Sequence, residues 1–241
     1  MKKIKLKFSI RALLLFVIVL SIPLIYMEHL RMQINREQKF LRSLRTLEES
    51  KFLSFYAGHQ YPHGIKPRPG PEWVKWLYGE RILAPVKLLN VGCSDSIPIE
   101  LVQFNKLKSL ESLSWNFGNY KSLDGLEALV ELRDLSFCYC DSLINIDAIS
   151  NLDHLHTLDL SGSRSLNDLR PLAKLPSLIN LNIKNCESIE DIDFLKSKPD
   201  LIVYVDGCTN LKNAKWWADK SSKTILKRIE QGRFGTIQQL W

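Results

Sequence analysis

The sequence predicts a solenoid of short parallel strands, because one pattern is repeated six times between residues 86 and 208. The clearest copies read LRDLSFCYCDSL, LHTLDLSGSRSL and LINLNIKNCESI, and they start at Leu132, Leu155 and Leu178. Looser copies start at Val86 and Leu110, and a last one, PDLIVYVDGC, is a residue short. Successive copies begin about 22 to 24 residues apart, and a fixed period in this range is typical of stacked repeats.

Each copy contains two apolar sets that differ in spacing. The first is an apolar–x–apolar pair such as Leu135 and Phe137, and this alternation predicts a short strand whose apolar side chains face the core. The second set recurs every three residues, as in Leu169, Leu172 and Leu175, and favours a 3₁₀ or short helical return. No single copy can bury both sets, so neighbouring copies must stack into one core. The predicted fold class is therefore α/β, with parallel strands on a concave face and short helical returns behind them.

The copies resemble the leucine-rich repeat, specifically the short bacterial type of internalin-like proteins. Cys140, Ser163, Cys186 and Cys208 stand where that family has Asn or Cys. The resemblance covers about half of the chain and implies a fold without implying a ligand. Equivalent side chains in stacked turns run parallel into the core. We therefore expect buried, reduced thiols at Cys140, Cys186 and Cys208 with no Cys186–Cys208 disulfide, and we expect Cys138, on the concave side, to be the most reactive.

The distribution of charge divides the chain into three blocks. Residues 1–85 carry 15 Lys/Arg against 6 Asp/Glu, residues 86–208 carry 11 against 18, and residues 209–241 carry 7 against 2. An acidic solenoid argues against a nucleic-acid partner. The sequence contains no nucleophile elbow, phosphate-binding glycine loop, HExxH motif or dinucleotide fingerprint. We therefore expect no enzymatic activity, no catalytic or metal-binding residues and no cofactor.

The first 27 residues predict a membrane anchor. Residues 1–11 form a basic head, and residues 12–27 form the apolar run ALLLFVIVLSIPLIYM. Counted from Phe8, the apolar span is about 20 residues long, enough to cross a bilayer core of about 30 Å. The basic head predicts a cytoplasmic N-terminus and an extracytoplasmic solenoid, as in a single-pass membrane protein. The alternative is a signal peptide, cleaved near Ser21, and a secreted protein, although the apolar run continues past that point.

Three segments connect the predicted anchor to the repeats. Residues 28–56 predict a juxtamembrane helix, with apolar residues at helical spacing: Leu30, Ile34, Leu41, Leu44 and Leu47. This helix either forms a coiled-coil stalk or packs on, or leads to, the domain; it is short for a coiled coil. Residues 57–70 predict a linker rich in Pro and Gly. Residues 71–85 predict a helix that begins at Pro71, with Trp73 and Trp76 capping the first repeat.

A second cap is predicted after the last repeat. Residues 209–241 contain an apolar set typical of a helix over the last turn, followed by a basic tail: Trp216, Trp217, Ile225, Leu226 and Ile229. Together, the head FSIRALLLFVIVL, the charged segment and PGPEWVKWLYGE resemble membrane-anchored leucine-rich-repeat proteins of planctomycete bacteria. This resemblance implies a topology more than an activity.

The candidate binding residues alternate with the inward pairs and therefore face the concave side. Their middle column is Asn90, Ser114, Ser136, Asp159, Asn182 and Tyr204, and the full candidate set is Asn90, Ser114, Asn116, Asp134, Ser136, Thr157, Asp159, Asn180, Asn182 and Lys184. Most are small and polar, whereas binding hot spots favour Trp, Tyr and Arg. The face is thus a modest-affinity surface or a ladder of polar groups that satisfy one another. We expect a membrane-tethered interaction module with a protein partner; the alternative is a cell-envelope scaffold without a discrete ligand.

Overall fold

Seven strands form one sheet in a computed structural model that describes residues 100–230, 53–58 and 88–93 and, nearer the N-terminus, 21, 25–26, 28–29, 31–33 and 35–43. The strands follow one another in chain order: β1 (Leu53–Gly58), β2 (Leu88–Cys93), β3 (Ser112–Asn116), β4 (Asp134–Ser136), β5 (Thr157–Asp159), β6 (Asn180–Asn182) and β7 (Ile202–Tyr204). β2 to β7 pair in parallel. Each of these strands is therefore one turn of a solenoid, as the repeat predicts.

The predicted inward positions form the core. In β3 to β7 and the residues directly after them, the alternating apolar side chains are all buried: Leu113 and Trp115, Leu135 and Phe137, Leu158 and Leu160, Leu181 and Ile183, and Val203 and Val205. The burial follows from the strand geometry, since successive side chains point to opposite faces. The polar residues between them are left on the other face.

The returns are 3₁₀ helices in four of the turns that the structure describes. They span Leu101–Lys106, Asp147–Asn151, Arg170–Lys174 and Asp193–Ser197. Between β3 and β4 the chain returns through turns whose backbone bonds have the same i to i−3 spacing, from Leu126 N–H to Leu123 C=O (3.2 Å) and from Leu129 N–H to Leu126 C=O (3.0 Å). The apolar residues at three-residue spacing are buried behind the sheet. The predicted returns are thereby confirmed.

At the position that the leucine-rich repeat fills with Asn or Cys, three residues join a turn to the one before it. The Cys186 thiol donates to the Leu160 carbonyl (3.1 Å), and the Cys208 thiol donates to the Ile183 carbonyl (2.8 Å). The Ser163 hydroxyl donates to the Phe137 carbonyl in the same way (3.4 Å). Cys140, Cys186 and Cys208 are buried free thiols, as expected from the sequence.

A helix covers the N-terminal end of the core. Every described residue between 21 and 43 is helical. Phe40 is buried against Phe104 of the first return, with ring centroids 5.3 Å apart in an edge-on arrangement, and Leu41 packs against the same core. This contact favours a helix packed on the domain over the coiled-coil stalk.

The predicted juxtamembrane helix is wrong at its C-terminal end. Leu53–Gly58, which the sequence pattern assigned to the end of that helix and the start of the linker, form β1 and pair antiparallel with β2. Phe55 and Tyr56 are strand-forming residue types, and β1 provides backbone partners for the outer edge of β2, which would otherwise be unpaired. The proposed cap residues Trp73 and Trp76, and residues 59–87 in general, lie outside the described residues.

The predicted membrane span also lies almost wholly outside the described residues. Of residues 12–27, the structure describes positions 21, 25 and 26, which are helical. Within the parts of the chain that the structure describes, no helix has both the length and the apolar character needed to cross a bilayer. The anchor therefore stays a prediction.

The C-terminal helix, Ala214–Glu230, caps the last strand. Trp217 is fully buried, and the Ser221 hydroxyl accepts from the Val203 N–H (2.8 Å) and donates to the Val203 carbonyl (2.9 Å). One serine thus satisfies both outer backbone groups of Val203 in β7. The predicted cap is correct in place but not in every residue, because Trp216 and Leu226 are exposed to solvent.

Candidate interaction surface

The strand pairing brings the candidate residues together on one face. The middle column is in register from strand to strand, with partners Asn90, Ser114, Ser136, Asp159, Asn182 and Tyr204. A second column in register comprises Ser112, Asp134, Thr157 and Asn180, while Asn116 ends β3 and Lys184 follows β6. All the candidate residues are at least partly exposed. Whether they bind a ligand is taken up below as a proposal.

The C-terminal half of this face is a polar network that satisfies itself. The Asn182 amide donates to the Asp159 carboxylate (3.0 Å), which also accepts from the Ser161 N–H (2.9 Å). The side-chain oxygen of Asn182, Oδ1, accepts from the Lys184 N–H (3.2 Å). The Lys184 ammonium lies 3.4 Å from the Asp206 carboxylate and 5.6 Å from the centroid of the Tyr204 ring. Here the polar residues bind one another, as in the ladder alternative.

Cys138 lies in the middle of the face between two hydroxyl groups. Its sulfur is 3.1 Å from Ser136 Oγ and accepts from the Ser161 hydroxyl at 3.4 Å. Burial raises the pKa of the Cys138 thiol to about 11, against the smaller lowering effect of these hydrogen bonds. The thiolate is the reactive form of cysteine, so Cys138 is accessible without being activated. Its predicted rank as the most reactive thiol stays a prediction.

The turns that follow β3 and β4 carry a feature that the strand alternation does not predict. Phe117 directly follows β3 and Tyr139 lies three residues after the end of β4, at equivalent positions in successive repeats, and the two residues are 50% and 53% exposed. Their rings stack with centroids 5.0 Å apart and an interplanar angle of 7°. The pair, called here the aromatic pair, adds apolar area beside Asn116 and Cys138.

Both residues of the aromatic pair have a left-handed backbone. Their φ angles are 63° for Phe117 and 58° for Tyr139, and the same position in the later repeats holds Gly162 (76°), Asn185 (57°) and Gly207 (77°). Gly and Asn tolerate this conformation, whereas a bulky residue rarely adopts it. A non-Gly residue held there costs about 1–3 kcal/mol.

The ladder of backbone hydrogen bonds imposes this conformation on every repeat. Phe117 N–H donates to the Cys138 carbonyl (2.9 Å) and Tyr139 N–H to the Ser161 carbonyl (2.7 Å). Gly162 N–H bonds to the Lys184 carbonyl in the same way (2.8 Å). The fold therefore fixes the backbone, and the sequence places aromatic residues on it in two repeats. Half-exposed rings recover little of the cost by burial, and a stacked pair contributes about 0.5–1.5 kcal/mol.

Two neighbouring groups complete the environment of the aromatic pair. The ring of Tyr139 covers Gly162, where an added Cβ would lie 2.5 Å from Tyr139 Cδ1. Asn116 Oδ1, one residue before Phe117, is a buried acceptor without a hydrogen-bond partner among the residues that the structure describes. The aromatic pair is thus an exposed apolar platform. The sequence signal that identifies it is the residue before the Asn/Cys position, where Gly and Asn mark the turn and Phe and Tyr stand out.

The repeat, the register and the core give the chain the fold of a leucine-rich-repeat solenoid. No protein-family model matches it. It is similar to the solved structure of internalin C2 from Listeria monocytogenes str. 4b F2365, with 25% identity and a TM-score of 0.38 over 46% of this chain and 50% of that chain. The match therefore spans about half of internalin C2.

Two further solved structures are similar over different shares of the chain. One is the functional domain of InlJ from Listeria monocytogenes, which includes a cysteine ladder, with 20% identity and a TM-score of 0.41 over 56% of this chain and 35% of that chain. The other is the leucine-rich-repeat ectodomain of the receptor kinase SOBIR1 from Arabidopsis thaliana, with 16% identity and a TM-score of 0.42 over 74% of this chain and 96% of that chain.

Proposed function

We propose that this protein is a non-enzymatic interaction module that binds another protein at the N-terminal half of its concave face. The observation that carries the proposal is the aromatic pair, Phe117 and Tyr139, which is exposed, stacked and held on a strained backbone. Strained residues concentrate where function uses them, and tyrosine is enriched in the hot spots of protein interfaces.

The charge of the repeats indicates the chemistry of the partner. Residues 86–208 carry 11 Lys/Arg against 18 Asp/Glu, so a basic protein surface complements them. Such complementarity raises the rate of association and excludes wrong partners. The partner that we propose therefore presents an apolar contact to the aromatic pair and basic residues around it.

The same proposal places the module outside the cytoplasm on a single membrane span. The support is the apolar run at residues 12–27 behind a basic head, together with the resemblance to planctomycete membrane-anchored proteins. Protease treatment of intact and permeabilised cells tests this topology. We expect protease to cut the solenoid in cells whose outer barrier alone is opened, and to leave a membrane-bound fragment that keeps the N-terminus of the chain. A mature chain beginning near Ile22 would instead support secretion.

The binding surface is tested by cross-linking the full chain in its own membrane and comparing two double variants. Phe117→Asn with Tyr139→Asn removes the aromatic pair and installs a residue that the fold already uses at Asn185. Val130→Asn with Ile144→Asn is the matched control, since these side chains are both 51% exposed. We expect the first variant to lose the cross-linked partner without a drop in its unfolding midpoint, because the removed strain offsets the lost stack. The control should keep the partner.

The alternative is a cell-envelope scaffold without a discrete ligand, and the self-satisfied network of Asp159, Asn182 and Lys184 favours it. In that case the cross-linked products contain only copies of this chain, and the aromatic variant changes none of them. A lowered unfolding midpoint in Phe117→Asn with Tyr139→Asn would show that the pair stabilises the fold, and the proposal would fail.

A further inference from the structure

The C-terminal helix presents a row of cations next to a tryptophan. Trp216, Lys220, Lys223 and Lys227 are spaced four, three and four residues apart, so they lie along one face of the helix Ala214–Glu230. With Asp219 and Thr224 they line a shallow open depression of about 370 Å³. Trp216 and the three lysines are called the basic row below.

Trp216 is not the tryptophan that the capping helix buries. Its neighbour Trp217 is the residue buried over β7, while Trp216 is 43% exposed and meets Trp217 edge-on at 4.8 Å between ring centroids. The ammonium of Lys196, from the last return, lies 5.0 Å from the centroid of the Trp216 ring. Leu226 on the same helix is 59% exposed. The helix therefore offers indole and alkyl surface to solvent among its lysines.

The charge of the basic row is largely uncompensated. The helix carries five Lys/Arg against two Asp/Glu. Lys220 is fixed at the end of the solenoid, where its ammonium donates to the Lys198 carbonyl (2.9 Å) and the Leu201 carbonyl (3.0 Å). Lys223 and Lys227 are exposed, and neither is in an ion pair with a described side chain. Among the described residues that line the depression, Asp219 alone is acidic.

We propose that the basic row docks on the surface of an anionic lipid bilayer. Lysines near such a surface are attracted to its headgroups, and tryptophan is enriched at the membrane–water interface, where its ring has both an apolar body and a polar N–H. A helix that combines a basic face with exposed Trp and Leu is typical of elements that lie in this interface. Binding of an acidic protein segment needs the charges alone and gives exposed Trp216 and Leu226 no role. The proposal does not require the N-terminal span.

The test uses the full chain in phosphatidylcholine vesicles, with and without phosphatidylglycerol, and with brominated acyl chains that quench tryptophan. The chain has six tryptophans, so the contribution of Trp216 is the difference between the natural chain and Trp216→Phe. We expect this contribution to be quenched in vesicles that contain phosphatidylglycerol and not in neutral ones. Salt should reverse it, because the Debye length falls from about 10 Å at 0.1 M to about 3 Å at 1 M. This readout isolates the helix even if the N-terminal segment inserts.

Two charge variants separate the effect of the lysines in the basic row from the effect of the net charge of the chain. Lys223→Gln with Lys227→Gln should weaken the docked state about 25-fold, since each lysine near an anionic surface contributes about fivefold. Lys108→Gln with Lys174→Gln removes the same charge from exposed positions on the repeats and should leave quenching unchanged. Equal quenching in neutral vesicles, or no effect of the first variant, would overturn the proposal. So would a shift of Trp216 emission by polyglutamate without quenching by vesicles, which would assign the face to an acidic protein.

Discussion

The two halves of the solenoid share one backbone and differ in what they place on it. In the N-terminal half, aromatic rings contact one another through the core, with centroid distances of 5.3, 5.5, 5.6 and 6.2 Å along the series Phe40, Phe104, Trp115, Tyr120 and Phe137. In the C-terminal half the same inward positions are aliphatic: Leu158, Leu160, Leu181, Ile183, Val203 and Val205. The repeat therefore fixes where apolar groups go and leaves their size to local packing.

The exposed residues of the two halves also differ, with aromatic side chains in the N-terminal half and small or polar ones in the C-terminal half. Phe117 and Tyr139 are aromatic at the left-handed position that Gly162, Asn185 and Gly207 fill in the later repeats. Beside those later residues, Asp159, Asn182 and Lys184 hydrogen-bond one another. The N-terminal half thus has a strained aromatic pair where the C-terminal half has polar groups that satisfy one another, and the proposed contact surface rests on this difference.

The largest expected effect concerns the aromatic core of the N-terminal half. Trp115 is fully buried, so Trp115→Ala should lower the free energy of unfolding by about 3–5 kcal/mol, through lost burial and the cavity left behind. Ile183→Val, at the matching inward position of the aliphatic half, should cost about 1 kcal/mol. Chemical denaturation monitored by circular dichroism measures both.

Similar losses in the two variants would break the comparison, because they would show that the aromatic core collapses as easily as the aliphatic one. A loss above 5 kcal/mol for Trp115→Ala would indicate that the whole N-terminal half unfolds with it.

The second effect is the coupling between Gly162 and Tyr139 at the border of the halves. Gly162→Ala places a Cβ 2.5 Å from Tyr139 Cδ1 on a backbone with φ of 76°, and we expect a loss of about 2–3 kcal/mol from strain and contact together. In a Tyr139→Asn background the contact is gone, so the cost should fall to about 1 kcal/mol. The difference is the coupling energy of a double-mutant cycle, measured from unfolding midpoints. Additive effects would mean that the Tyr139 ring moves aside freely.

These features differ in how far the sequence could predict them. The period of the repeat and the alternation around Leu158 and Leu160 were enough for the solenoid, the register and the buried core, because stacking constrains every copy alike. β1 could not be predicted in the same way, since its partner β2 is about 35 residues away in the chain and no repeat constrains it. Alternation along the strands also placed the candidate residues on one face, but it gives no orientation past the strand ends, where Phe117 and Tyr139 lie.

The C-terminal cap could also be predicted only in part. The pattern of Trp216, Trp217, Ile225 and Leu226 predicted a capping helix, and a helix is there. Helical spacing alone does not say which of two adjacent tryptophans is turned toward β7. That choice depends on how the helix is rotated, which the hydrogen bonds between Ser221 and Val203 fix. Trp216 was therefore assigned to the cap although it is exposed.

The smallest expected effect concerns the buried thiol of the C-terminal half. Ser163 already fills the equivalent position one turn earlier and donates to a carbonyl there, so Cys186→Ser should keep the bond to the Leu160 carbonyl and cost about 1 kcal/mol at neutral pH. Burial raises the pKa of the Cys186 thiol to about 12, above the value of about 8.5 for an unfolded cysteine. The folded state thus holds this proton more tightly, and the stability that it contributes is complete below about pH 8.5 and is lost as the pH rises toward 12. The unfolding midpoint of the natural chain should therefore fall more steeply above pH 8.5 than that of Cys186→Ser.

Cys138→Ser is the control from the concave face, where the pKa of the thiol is about 11, and it should remove less of this pH dependence. Parallel midpoints for all three chains would show that Cys186 ionises as an exposed thiol does, and rapid alkylation of native protein at neutral pH would confirm it.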